Sequence, residues 1–389
     1  MLKIILNNLK HFIITASILL AALTGVGLYL GVDIYLGDNP LAFKVGNEGP
    51  HIFFKDDKAQ VNYIRGGREQ GFSVERTEYD IDEIIPIKVH FNLDDTIFSV
   101  NVDTHIENPP VVYEDNQPII AISDIESNYK TFRDFLIANK VIDAQLNWSF
   151  GQGHLVLVGD FVDRGASTTQ VLWFIYKLEQ AAKKQGGMVH FILGNHEIKN
   201  LQANYFDAPE KYFHIAAMMG KQQYDLFSDD SFLGRWLASK NTVEKINGHI
   251  FVHGGIHPDI NQYDTSLEEI NRIVRANYRT PYFPKKELSL ENLLISTHDG
   301  TSWYRGYFSG DLSQETLTKG IDKFSAKAVV VGHTPKWNVS KMYDGKVLAI
   351  NVKHPDDYRS SFPPRSSQGL LIHSNQYFRL SDDGKRQAI

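Results

Sequence analysis

The sequence predicts an α/β protein: two packed sheets with chemically active residues along one edge, preceded by an apolar helix and a small antiparallel β module. Three observations carry this. Five short apolar runs, each sized for a buried strand, lead into an Asp, Asn or His. Stretches of helical period separate several of these runs, so strand and helix alternate. The first hundred or so residues have a different texture, with alternating short runs punctuated by turn residues.

At the amino terminus, Lys3, Lys10 and His11 precede an uncharged apolar run from Phe12 to Leu30. A run of that length just crosses a bilayer as a helix, so residues 12–30 are expected to meet a membrane. Residues 1–31 then read as an uncleaved signal-anchor. The rival is a cleaved signal peptide, for which Ala21-Ala22-Leu23-Thr24-Gly25 offers only a poor cleavage site. The lysines on the amino side put the rest of the chain outside the cytoplasm, in a periplasm or at a cell surface. With cleavage, the protein is secreted instead.

Asp33 to Pro40 is a short exit from this run. Residues 40–108 then form the antiparallel module, with strands expected at His51–Phe54, Gln60–Ile64, Phe72–Glu75, Ile87–Phe91 and Ile97–Val102. His105-Ile106-Glu107 reads as a solvated loop, and Pro109 to Pro118 as the join to the next domain.

The α/β domain occupies residues 118–380. Ile119–Ile122 runs into Ser123-Asp124-Ile125-Glu126. Leu155–Val158 runs into Gly159-Asp160-Phe161-Val162-Asp163-Arg164-Gly165. Val189–Leu193 runs into Gly194-Asn195-His196-Glu197, His249–Val252 into His253-Gly254-Gly255, and Ala328–Val331 into Gly332-His333-Thr334-Pro335. Helices are expected at Tyr129–Lys140, Thr168–Lys184, Ala208–Arg235 and Ser266–Asn277, and further strands at Val347–Val352 and Gly369–His373. The polar tail from Ser381 is expected to fray. A sheet edge that gathers carboxylates, an amide and imidazoles suits hard or borderline divalent cations. Glycine before several of these residues permits a tight turn at the strand end.

These motifs, in this order, resemble the calcineurin-like metallophosphoesterases, and more closely the phosphoprotein-phosphatase (PPP) branch with its bacterial-like members. The resemblance implies an αββα sandwich of the metallophosphatase type and two divalent metal ions, Mn²⁺ first, with Fe, Zn or Mg as alternatives. It assigns Asp124 and Glu126 to the first metal, Asp160 to a bridge, and Asn195, His253 and His333 to the second. A water between the metals attacks phosphorus. His196 protonates the leaving oxygen, Asp163 holds His196, and Arg164 clamps the phosphate. Arg305, in Trp303-Tyr304-Arg305-Gly306, is the second clamp, with Tyr304 a weaker candidate. One departure stands out: the family's Asp-x-His is Asp124-Ile125-Glu126 here. Glutamate is harder than imidazole and adds negative charge at the first metal.

The implied function is a phosphatase for phosphomonoesters, acting on phosphoproteins at Ser/Thr or Tyr or on small phosphoesters. The alternatives are a diadenosine-tetraphosphate-type or other nucleotide phosphoesterase, and a weakly catalytic phosphate-binding or scaffold protein. Retention of Asp163, Arg164 and His196 argues against the last, since a binder needs no general acid. The 389 residues are 42% hydrophobic, enough for a large core, and a net charge of −6 gives no basic excess for nucleic acid. The absence of cysteine excludes disulfides, thiol catalysis and a lipoprotein anchor.

Overall fold

The computed structural model describes residues 2–30 and 32–389. Helix α1 (Leu2–Tyr29) extends the expected apolar run to the amino terminus, and none of its described side chains is buried. Among the described residues it is the one helix long and apolar enough to cross a membrane. Strand β1 (Ile34–Leu36) follows and pairs antiparallel with a distant segment, Ser360–Phe362.

Strands β2 (His51–Lys55), β3 (Lys58–Gly67) and β4 (Gly71–Asp80) form an antiparallel sheet, and β5 (Ile85–Phe91) and β6 (Thr96–Val102) form a hairpin. The alternation in β5 is carried through to burial: Ile85, Ile87, Val89 and Phe91 face inward while Pro86 and Lys88 are exposed. Their apolar faces share one continuous core with the rest of the chain. Phe98 packs 5.4 Å from Phe174 by ring centroids, and Trp173 Nε1 donates to Pro50 O at 2.9 Å. The segment read as a join contains β7 (Val112–Tyr113), an edge strand of a central sheet.

The central elements begin with β8 (Ile119–Ile122), α2 (Tyr129–Ala138), β9 (His154–Val158), α3 (Thr168–Lys183) and β10 (Met188–Ile192). The three strands run parallel, as strand-helix-strand units require. Next come α4 (Asn195–Leu201), α5 (Glu210–Met218) and α6 (Phe232–Ala238). The single helix expected over Ala208–Arg235 is therefore broken. Gly220, at φ +74°, ends the first part, and Ser231 caps the second by accepting from Gly234 N. Strands β11 (Val243–Ile246) and β12 (His249–Val252) form a hairpin. Helix α7 (Leu267–Asn277) starts with Ser266 Oγ accepting from Glu269 N. Then follow α8 (Leu290–Ile295), α9 (Gln314–Asp322), β13 (Ala328–Val331), β14 (Ser340–Met342), β15 (Val347–Ala349), β16 (Ser360–Phe362), β17 (Gln368–His373), β18 (Gln376–Ser381) and β19 (Arg386–Ala388).

One sheet runs β10-β9-β8-β17-β18-β19 and the other β14-β15-β13-β12-β11-β7. The two pack face to face. In β8, Ile119 and Ala121 meet Phe251 and Val330 of the opposite sheet, while Ile120 and Ile122 join the core beneath the helices. A strand buried on both faces explains its unbroken apolar run. The tail from Ser381 does not fray: β19 pairs with β18 through Phe378↔Ala388 and Leu380↔Arg386. Because β8, β9 and β10 are parallel, as are β12 and β13, their carboxyl ends arrive together at one end of the sandwich.

Candidate active site

The chain leaves β9 through Gly159 at φ +77°. A Cβ there would lie 2.4 Å from His253 Nδ1. At Gly194 and Gly332 the turn is not the reason for glycine. A Cβ at Gly194 would stand 2.2 Å from Asp160 Oδ1, and one at Gly332 2.7 Å from Asp124 Oδ2, so these positions let two strand ends approach. Asp124, Glu126, Asp160, Asp163, Arg164 and His333 all adopt positive φ, between 50° and 67°. Such backbone persists only where surroundings enforce it, and here it gathers at one spot.

Asp160 is the hub. Its Oδ1 accepts from His196 N at 3.0 Å, and its Oδ2 lies 3.0 Å from His253 Nε2. His253 Nδ1 donates to Val158 O at 2.7 Å, which turns Nε2 toward Asp160 and toward Asn195 Oδ1 at 3.3 Å. Asp160, His253 and His333 present ligand atoms all within 4.8 Å of one another, and all three are buried. His333 Nε2 is buried and has no hydrogen-bond partner. Asp124 closes the group: its Oδ2 accepts from His333 N at 3.2 Å and its Oδ1 from Asn351 Nδ2 at 2.7 Å.

The electrostatics show a set of donors short of cations. Burial pushes Asp124 up to about 7, with His253 opposing and Asp160 reinforcing the shift. Burial works against the charged forms of Asp160 and His253 too. Their mutual attraction overrides it, holding Asp160 well below the carboxylate range and raising His253 to about 9. Burial and the charge of His253 push His333 down to about 2, so its imidazole is neutral and available as a ligand. An unpartnered neutral imidazole beside buried carboxylates fits divalent metal ions.

Beside this group stands His196. Its Nδ1 lies 2.9 Å from Asp163 Oδ2, and its Nε2 3.2 Å from an Arg164 terminal nitrogen. Asn200 Nδ2 donates to Asp163 Oδ1 at 2.9 Å, so both carboxylate oxygens are held. Burial disfavours protonated His196, but Asp160 and Asp163 outweigh it and raise its pKa. Arg164 forms an ion pair with Glu126, whose carboxylate reaches the cleft but lies outside the tight Asp160–His253–His333 group. Arg305 donates to His333 O at 2.8 Å and to Thr334 Oγ1 at 3.0 Å, placing its guanidinium at the cleft. Tyr304 is packed in the core between His257 and Tyr307. The cleft over these residues has a volume of about 580 Å³, with Lys199, Lys353, Arg359 and Arg365 on its rim and Asp33 and Tyr35 completing one wall.

Two contributors were missed in the sequence. Glu197 is buried, and its carboxylate accepts from the backbone N–H groups of Asp160, Phe161, Val162 and Gly194, fixing the turn that aims Asp160. Its position as the third residue of α4 was the available signal, since such glutamates cap helices. Asn351 follows β15 as the other site residues follow their strands, but the run Val347–Val352 was read as strand alone.

A fold of two facing sheets with this donor set at one end defines a metallophosphoesterase. Residues 117–337, more than half the chain, match the calcineurin-like phosphoesterase family model, and the chain belongs to that family. Within it, the chain is similar to bacterial-like members of the PPP branch. It is 31% identical over 229 residues to Shewanella-like protein phosphatase 1 of Plasmodium berghei, covering 56% of this chain and 61% of that protein. It is 25% identical over 206 residues to Shewanella-like protein phosphatase 2 of Arabidopsis thaliana, covering 42% and 52%. The chain thus spans about half to three-fifths of these two relatives. Among solved structures, the cold-active protein-tyrosine phosphatase of a psychrophilic Shewanella superposes with a TM-score of 0.75 at 28% identity, over 88% of this chain and 98% of that one.

Proposed function

We propose that the protein is a membrane-anchored phosphomonoesterase that removes phosphate from proteins, with Tyr or Ser/Thr side chains as substrates. The observation that carries this is the His196–Asp163 pair beside Arg164 and the Asp160 group at the base of one cleft. A general acid next to a phosphate-binding cation is machinery for expelling a leaving oxygen. Similarity to the tyrosine phosphatase over most of the chain makes phosphotyrosine the first substrate to test.

Asp124, Glu126 and Asp160 would hold one divalent cation, and Asp160, Asn195, His253 and His333 the other. When bound, the pair supplies charge neutralisation at phosphate and an acidified water. The carboxylate of Glu126 makes the first position rich in oxygen, so Mn²⁺ is the cation to test first. Arg164 and Arg305 enter the cleft from different segments and bind the phosphate oxygens. Arg164 is aimed by Glu126, and Arg305 is fixed by the His333 carbonyl. Asp163 keeps the proton on His196 Nδ1 and favours the doubly protonated ring, so that Nε2–H gives its proton to the leaving oxygen. Helix α1 carries the anchor; lipid satisfies an apolar helix that no protein covers.

The test is turnover by the full chain in detergent with added Mn²⁺, Mg²⁺, Zn²⁺ or Fe²⁺, using p-nitrophenyl phosphate, phosphotyrosine and phosphoserine peptides, and a dinucleoside tetraphosphate. Metal-dependent hydrolysis of the phosphopeptides, abolished by Asp160→Asn, supports the reading. Turnover of the dinucleotide alone would replace it with a nucleotide phosphoesterase.

A further inference from the structure

We propose that the face bearing the mouth of the cleft rests on the membrane that α1 crosses, which confines the enzyme to phosphorylated proteins at that same surface. This rests on reading α1 as an anchor and the cleft as a phosphatase site. The length of α1 supplies the first argument. Its 28 residues span about 42 Å at 1.5 Å each, the thickness of a bilayer with its headgroups, so Tyr29 reaches the outer boundary of the lipid. From Tyr29 to Asp33 the chain extends at most about 14 Å.

Asp33 is already part of the cleft wall. Its carboxylate lies 2.6 Å from Lys353 Nζ and 2.6 Å from an Arg365 terminal nitrogen. The next residues are locked by pairing of Ile34, Tyr35 and Leu36 with Phe362, Ser361 and Ser360, and Asp38 holds Arg359 at 2.8 Å. The anchor is therefore not a leash. It enters the body of the enzyme at the rim of the active site, within a few residues of the lipid.

The surface at this point matches a lipid interface. A groove of about 620 Å³ separates the last turn of α1 from Trp337 and Pro363, and it shares Asp33, Pro335, Val352, Lys353 and Arg365 with the catalytic cleft. Around it, Trp337 is 75% exposed, Leu36 58%, Phe362 49% and Tyr35 45%. Exposed aromatic rings beside an apolar helix end are the composition of a membrane-water boundary. Lys336 and Arg359 stand next to them, as cations do where phosphate headgroups begin.

Trp337 is a built-in reporter. Of the five tryptophans, Trp148, Trp173 and Trp236 are buried and Trp303 is half-buried. The full chain would be reconstituted in phosphatidylcholine vesicles with and without lipid brominated near the carbonyl end of its acyl chains. Bromolipid should quench tryptophan emission in the wild type, and Trp337→Phe should lose that component. A flexible Gly/Ser insertion after Leu30 should also lose it, with p-nitrophenyl phosphate turnover unchanged. A phosphopeptide tethered to the same vesicles should turn over about tenfold faster than the free peptide, and the insertion should erase that advantage. Protein that floats with the vesicles and is active, yet shows no Trp337 quenching, overturns the proposal, as would equal rates on tethered and free peptide. A chain that does not float overturns the anchor reading itself. A floating, quenched but inactive chain overturns only the catalytic reading.

Discussion

Asp163 holds His196 across 2.9 Å, carboxylate to Nδ1, with both side chains closed off from solvent. The pair fixes which nitrogen of the ring faces the cleft. It also raises the pKa of His196 above its ordinary value of 6.5, Asp160 and Asp163 together overcoming burial. As the proposed general acid His196 acts in its protonated form, so assistance to leaving-group departure should persist below the raised pKa and be lost as pH rises through it.

Asp163→Asn should therefore move the alkaline limb of kcat to lower pH. It should also reduce kcat on phosphoserine peptides about 10²-fold, within the usual contribution of a general acid. p-Nitrophenolate leaves without a proton, so the loss on p-nitrophenyl phosphate should be far smaller. Equal losses on both substrates would mean that Asp163 supports the site's architecture and not proton transfer.

Glu126, two residues past Asp124, is paired with Arg164. A carboxylate has two oxygens, so one can bind the guanidinium while the other faces a metal. Glu126→Ala should lower bound metal from two ions toward one per chain, read by elemental analysis after dialysis, and raise KM through the freed Arg164. Glu126→His should restore metal but not KM. Full metal content in the alanine variant, with only KM altered, would reduce Glu126 to a guide for Arg164.

Asp160, Asn195, His253 and His333 were legible because each interrupts an apolar run that can only be a strand, and parallel strands deliver their ends to one place. What distance in sequence hides was not legible. Asn351 meets Asp124 across 227 positions, and Asp33 meets Arg365 across 332, and no local pattern encodes either contact. The strands at residues 40–108 were visible from their alternation. That they share a core with α3 was not, because a period-2 pattern tells which face is buried and not what covers it. The helix expected over Ala208–Arg235 failed for a local reason: Gly220 and Ser231 are stop and start signals inside a helical pattern.

Metal removal should destabilise the fold as well as stop catalysis. Buried Asp124, Asp160, His253 and His333 are mutually satisfied only in part, and His333 Nε2 has no partner. Ions that bind only the folded chain add about 2.7 kcal/mol at a hundredfold excess over Kd. Mn²⁺ added to EDTA-treated protein should raise Tm by several degrees, and His333→Ala should blunt the rise. An unchanged Tm on adding each of the candidate metals would contradict the metal centre.

Acid should unfold the protein through two buried histidines, His249 and His354, the second of which lines the cleft. His249 Nδ1 donates to Asn247 O at 3.1 Å, and its Nε2 accepts from the Tyr377 hydroxyl at 2.9 Å, so the ring is held neutral. Burial, reinforced by Lys327, pushes it down to about 4. His354 is alike: its Nε2 donates to Ser123 O at 2.9 Å, and burial lowers it to about 4. Both lie below the unfolded value of about 6.5, so the unfolded chain takes up the proton first as pH falls. The stability these rings provide is complete above pH 6.5 and drains away between 6.5 and 4, on the order of 3 kcal/mol for each. Urea midpoints measured in EDTA from pH 7 to 4.5 should fall across that window. His249→Gln should flatten the slope by about 1.4 kcal/mol per pH unit, the share of one proton. A variant whose slope parallels the wild type would show that His249 takes up its proton at the same pH in the folded and unfolded chain.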